Sequence, residues 1–237
     1  GMSSCADYLD SDYIFKDRES IEKVFTDHDK TEQWLAHAYS FLRNEQCLDV
    51  GSKRGTPQVF DDCMYYGDDD KTLNAAREDY KVSYNKFHEG GYDEGAFQNT
   101  WDDCYKGIRQ ATIFIQNVDM NKTYTPEEII DFKAQARFVR AYYYWILLRK
   151  YGPIPLAPED GFDYNDSYDA VATPRSSYEA CANHIASEMI AAARDLPLLR
   201  GQNSSNRPTR GAALATRATV LLYAASPLMN GNKSEAK

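Results

Sequence analysis

The sequence predicts an all-α fold made of helical hairpins interrupted by long irregular insertions. Apolar residues recur at three- and four-residue spacing in several separate stretches. Hydroxyl caps, prolines and glycines stand where those stretches would start and stop. No strand-rich region competes with them.

The first twenty residues are polar and read as an extended tether. A first helix is expected over about 29–44, with Trp34, Leu35, Ala38, Phe41 and Leu42 on one face. A second is expected over 97–117, where Trp101, Tyr105, Ile108, Ala111 (or Thr112) and Ile115 keep the helical spacing. The third, over 126–151, is the most clearly marked. Thr125-Pro126-Glu127-Glu128 supplies a capping hydroxyl, a proline at the first helical position and a glutamate at the third. Acids occupy its first turns and Arg149 and Lys150 its last, as the helix dipole favours. Gly152 and Pro153 end it. Its uncharged run covers only 141–148, whereas a membrane span needs roughly 20 apolar residues. A helix that is apolar most of the way round is a buried helix, so Tyr142 and Trp145 are expected in the core rather than on a ligand platform. Three consecutive tyrosines cannot share one face, which leaves one free to reach a cleft.

A fourth helix is expected over about 176–196. Ser176-Ser177-Tyr178-Glu179 reads as a capping box, and Pro197 stops the helix. A fifth is expected over 209–225, with a small-residue stripe of Gly211, Ala215, Ala218, Leu222 and Ala225 suited to close helix packing. The first helix pairs with the second and the third with the fourth, in the manner of tetratricopeptide repeats. The fifth has no partner, so the chain is expected to be the N-terminal part of a longer protein. The organisation is therefore a tether over 1–20 and a helical domain over 21–237, with insertions at about 45–96 and 152–175. Insertions in repeat arrays often form the binding face, and loops this long are often functional.

The net charge of −9 argues against nucleic acid, because phosphate binding needs clustered Lys and Arg. Four His without HExxH or paired His/Cys spacing argue against zinc. The acid-rich segment 160–169 lacks the D-x-[DN]-x-[DN]-G calcium pattern and reads as a solvated loop. There is no GxSxG elbow. Paired acids such as Asp61/Asp62 and Asp102/Asp103 suggest a glycosidase only superficially. Adjacency does not set the roughly 5–9.5 Å separation that such chemistry needs. No cofactor or metal is implied. Of the five cysteines, none forms a CxxC pair. Cys47, Cys63, Cys104 and Cys181 are left without an assigned connectivity. Cys5 follows Met2-Ser3-Ser4, which reads either as the remnant of a lipoprotein signal or as a free cysteine in a polar tail.

Several segments together resemble the N-terminal half of SusD/RagB-type proteins. They are Cys5-Ala6-Asp7-Tyr8-Leu9-Asp10, the Trp101…Tyr105…Ile108…Asn117 helix, AQARFVRAYYYWILLRKYGPIPL (134–156), TPRSSYEACANHIASEMIAAARDLP (173–197) and RPTRGAALATRATVLLYAASPLMNG (207–231). The resemblance implies a SusD-like scaffold and an outer-membrane lipoprotein on the cell-surface face, lipidated at Cys5. It also implies a SusC-like TonB-dependent transporter as partner and oligosaccharide binding without catalysis. The family has no invariant sugar-binding motif, so ligand residues rest on chemistry. Sugars offer C–H faces to aromatics and hydroxyls to acids, amides and guanidinium groups. The best cluster is Asp61, Asp62, Tyr65 and Tyr66 in FDDCMYYGDDD (60–70), with Arg77 and Tyr84. Against this, Tyr80, Tyr84 and Phe87 keep the helical spacing of a buried face over 72–87. A second functional reading is a tetratricopeptide-like scaffold that docks a transporter without binding glycan itself. Glycan binding expects exposed aromatics in the insertions; docking expects them in the helical groove.

Overall fold

The computed structural model describes residues 18–42, 100–158 and 173–230. Contacts divide the chain into two compact units, 1–41 with 103–237, and 42–102. Only Leu42 and residues 100–102 of the second unit are among the described residues. The elements in order are α1 (Arg18–Phe25), α2 (His28–Tyr39), α3 (Trp101–Asn117), α4 (Pro126–Tyr151), α5 (Tyr178–Asp195), α6 (Arg210–Ala225) and the short α7 (Pro227–Asn230). Single 3-10 turns cover Val118–Met120 and Gln202–Ser204. The described residues contain no strand, only an isolated bridge between Pro155 and Arg175. The all-α expectation holds.

The central helix α4 has the expected bounds. Thr125 Oγ1 accepts from the Glu128 amide (3.2 Å), and Glu128 Oε2 accepts from the Thr125 amide (2.8 Å), closing the capping box. Gly152 ends the helix at φ 69°, in the region that favours glycine. Val139, Ala141, Tyr143, Tyr144, Leu147 and Leu148 are all buried, so the helix is enclosed on most sides.

Several elements differ from expectation. Helix α1 has no counterpart in the predicted pattern. Its Ile21, Val24 and Phe25 complete a core with Trp34 and Leu35 of α2, Ile113 and Phe114 of α3, and Ala136 of α4. Phe25 lies 5.2 Å from the Trp34 ring and 5.8 Å from Phe114. Helix α2 stops at Tyr39 rather than near 44, because the Ser40 hydroxyl and amide both turn back onto the His37 carbonyl. The N-cap of α5 is Ser177, whose hydroxyl accepts from the Ala180 amide (3.1 Å). The predicted box on Ser176 does not form, because the Ser176 amide is engaged by the Ile154 carbonyl at 2.9 Å.

The fifth predicted helix, α6, does have a partner. It packs on α5, burying Ala213 and Val220. Its small-residue stripe points the other way, leaving Gly211, Ala215, Ala218 and Leu222 exposed. Two contacts fix that rotation. Arg210 Nε donates to the Ala193 carbonyl (2.9 Å), and the Tyr223 ring meets Trp145 edge-on at 5.0 Å.

At the end of α2, burial lowers the His37 pKa below 6.5. Its Nε2 is enclosed without a hydrogen-bond partner. The neutral imidazole is therefore the form the fold accepts. As pH falls past 6.5 the unfolded chain takes the proton first, so stability declines until the folded form also protonates, then levels off. Urea midpoints measured between about pH 7.5 and 5 are expected to fall for the native chain and to fall less for His37→Gln.

Candidate functional site

The predicted ligand residues Asp61, Asp62, Tyr65, Tyr66, Arg77 and Tyr84 lie outside the described residues, as do Cys5 and the acidic stretch 159–172. The described residues do include the root of the second insertion. The chain leaves α4 at Gly152, and residues 153–157 run against 173–176. Arg175 donates to the Pro153 carbonyl (2.7 Å), the Ser176 amide to Ile154 (2.9 Å), and the Thr173 hydroxyl to Leu156 (2.7 Å). Ile154 is fully buried, and the Cys181 thiol at the head of α5 points at its carbonyl. Burial raises the pKa of that thiol, so it stays protonated and inert. The Tyr105 hydroxyl of α3 donates to the Pro155 carbonyl at 2.8 Å. The first turns of α3, just after the first insertion, are thus tied to the root of the second.

The tyrosine run divides by function. The Tyr143 hydroxyl donates to the Ala38 carbonyl on α2 (2.6 Å). Burial is the main cause that pushes its pKa well above the ordinary phenol value, so it remains a donor. The Tyr144 hydroxyl accepts from the Ala157 amide (2.8 Å) and so helps hold the insertion root. Tyr142, expected in the core, is only half-buried, its ring stacked on Phe138 at 6.0 Å and 14°. The turn of the helix explains the split, since successive residues lie about 100° apart. Trp145 is buried as expected, beneath Tyr223 and with the Arg149 guanidinium 5.8 Å from its ring centre.

Phe138, Tyr142 and Arg149 share one face of α4 by helical period. Tyr39 of α2 bonds Gln135 on one side of that face, and Tyr223 of α6 meets Trp145 on the other. Half-buried aromatic faces beside arginine suit stacking and hydrogen bonding rather than bond-breaking. The sequence reading missed Phe138 and Tyr223. The four-residue spacing of Phe138 and Tyr142 was a usable signal, whereas the approach of Tyr223 depends on how α6 packs. No helix among the described residues is long and apolar enough to cross a membrane.

Comparison with known proteins adds to this geometry. Residues 53–222 match the SusD-like family model described as "Starch-binding associating with outer membrane". A SusD-like protein of Formosa agariphila is 25% identical over 159 residues, covering 66% of this chain and 29% of its own length. A SusD-like protein of Bacteroides fragilis superposes with a TM-score of 0.65 at 22% identity, over 84% of this chain and 36% of its own. A laminarin-binding SusD-like protein superposes at 0.61 with 18% identity, over 86% of this chain and 42% of its own. The chain thus spans less than half the length of each of these proteins. The helical architecture and the matched 170 residues, 53 to 222 inclusive, agree, and the chain belongs to the SusD-like family.

Proposed function

We propose that the whole protein is a non-catalytic, surface-exposed glycan-binding lipoprotein of the outer membrane. It is anchored through Cys5 and passes oligosaccharides to a SusC-like TonB-dependent transporter. The observation that carries this reading is the family match, whose description joins starch binding to the outer membrane. Support comes from the names of two structural relatives, a laminarin-binding SusD-like protein and a surface glycan-binding protein of Bacteroides uniformis. In this reading Tyr65 and Tyr66 stack on sugar rings, Asp61 and Asp62 accept hydroxyl hydrogens, and Arg77 and Tyr84 complete the contact.

The test is native affinity electrophoresis of the full-length mature protein through a panel of polysaccharides, beside Tyr65→Ala/Tyr66→Ala. Retardation by one polysaccharide is expected. Stacking of a nucleic-acid base on an aromatic ring is worth about 1–3 kcal/mol; with each sugar contact taken at the low end of that range, the double variant should bind about thirty-fold more weakly. Retardation that survives unchanged moves the site off the first insertion. A second reading, a scaffold that docks the transporter without touching glycan, is favoured by one observation. The half-exposed aromatics Phe138, Tyr142 and Tyr223 lie on helices, not in insertions. Absence of retardation by every polysaccharide, with transporter binding intact, would favour it.

A further inference from the structure

The last long helices of the scaffold pack in series, α5 on α4 and α6 on α5. Their outer faces differ in kind. The exposed positions of α5 include Glu179, Asn183, Ser187, Arg194 and Asp195, a face suited to water. The exposed positions of α6 are Gly211, Leu214, Ala215, Ala218, Thr219 and Leu222, followed by Tyr223, and none carries a charge. The only charged side chains of α6, Arg210 and Arg217, are both half-buried.

By helical period Gly211, Ala215, Ala218 and Leu222 form one line along the helix. Ala213 and Val220 are buried against α5 on the other side, so α6 is apolar nearly all round. A helix of that kind is an inner helix. A stack of helices ends in a polar outer face, because a terminal apolar face has nothing to bury it. The outer face of α5 would serve that purpose, and the outer face of α6 does not. Single exposed apolar residues need no explanation, whereas here the whole face is uncharged. Its glycine and alanines also leave room for another helix at about 8 Å, the low end of the usual separation.

The course of the chain points to the occupant. After Ser226 the chain turns, and Asn230 Nδ2 donates to the Ala225 carbonyl (3.1 Å). The short α7 therefore stays against the end of α6, with Leu228 and Met229 exposed. Chain that follows α7 starts at the end of the bare face, and short connections join antiparallel neighbours in helical stacks. A tethered segment meets that face at an effective concentration that a separate molecule does not reach. The matched region makes up 29% of the Formosa agariphila relative and 36% of the Bacteroides fragilis one, so proteins of this kind carry ample further chain.

We infer that α6 is an inner helix of the whole protein, and that a helix from its own chain beyond Lys237 covers the line of Gly211, Ala215, Ala218 and Leu222. This face is then neither a sugar surface nor a docking site for another protein.

The test uses the full-length mature protein, dilute and shown to be monomeric by light scattering. A diazirine amino acid of methionine size is placed at position 222 by codon suppression, photolysed in the folded state, and its products are mapped by peptide mass spectrometry. The expected product joins position 222 to a peptide beyond Lys237 of the same molecule. A second measurement compares thermal melts of Ala218→Leu and Ala218→Ser. A free helix face accepts leucine about as well as alanine, whereas a close-packed seam is overfilled by it. Ala218→Leu should lower the melting temperature by about 2–8 °C, and Ala218→Ser by less.

Reaction at position 222 with water alone overturns the inference, because the face is then free. A cross-link to a peptide of residues 1–170, or to a second molecule, also overturns it by naming a different occupant. An Ala218→Leu melt equal to that of the native chain overturns the close packing of a helix on this line. Should Ala218→Leu fail to fold, the cross-link still decides the occupant.

Discussion

Gly107→Ala is expected to lower the melting temperature sharply, although it adds only a methyl group in the middle of a helix. On helix propensity alone the change would stabilise α3 by up to about 1 kcal/mol. Packing opposes it. A Cβ at this position would lie 2.5 Å from Tyr143 Cζ and 2.9 Å from Cδ2, and closer still to Cε2. These are well inside contact distance. The ring has little freedom to yield, because Tyr143 is fully buried and its hydroxyl is held by the Ala38 carbonyl. Overpacking of this kind costs about 1–3 kcal/mol, occasionally more. With a rigid ring on a central helix the upper end applies, so the net loss should be about 2 kcal/mol.

The measurement is chemical denaturation of Gly107→Ala, Tyr143→Leu and the double variant. Tyr143→Leu alone destabilises by removing buried ring and hydrogen bond. Once the ring is gone, the alanine should cost little or nothing. A strongly non-additive cycle is therefore expected. Additive losses would show that the methyl group meets something other than Tyr143.

Much of this scaffold was legible because its signals are local. The bounds of α4 follow from Thr125-Pro126, Glu128 and Gly152-Pro153, and each of those residues acts in the structure as its chemistry suggests. The positions that misled the reading depend on distant partners. Ser176 has the right spacing from Glu179 for a box, but a carbonyl 22 residues earlier in the chain, Ile154, takes its amide. The stripe on α6 has the right spacing for close packing, but Arg210 and Tyr223 turn the other face inward. Helix α1 is a short segment whose formation depends on the core that Phe25 completes with Trp34 and Phe114, partners that periodicity cannot name. The candidate site was the least legible part. The proposed glycan site rests on no fixed motif, and its six residues are chosen by chemistry alone. What the helices add is the way Tyr105, Tyr144 and Cys181 gather at the root of the second insertion.

Arg200 and Asp131 provide the second large effect. Their two parallel bonds are the fork geometry in which arginine and a carboxylate match best. With the arginine side chain only 9% exposed and the aspartate 26%, the pair is partly buried rather than a surface ion pair. Removing one member of a buried pair costs about 3–5 kcal/mol, because the other charge is left without compensation. Arg200→Met should fall below that range. Asp131 keeps a bond from Gln135 Nε2 at 2.8 Å and some access to water. A loss of about 2–3 kcal/mol is therefore expected. Asp131→Leu should cost more, because the buried guanidinium would retain only the Pro208 carbonyl. The double variant Asp131→Leu/Arg200→Met replaces both charges with apolar groups of similar reach and should be more stable than either single variant. Urea denaturation of the set measures the coupling. A double variant as unstable as the sum of the singles would mean that the two side chains are not energetically coupled, whereas one less unstable than that sum yet still below the native chain would mean that the pair contributes net stability.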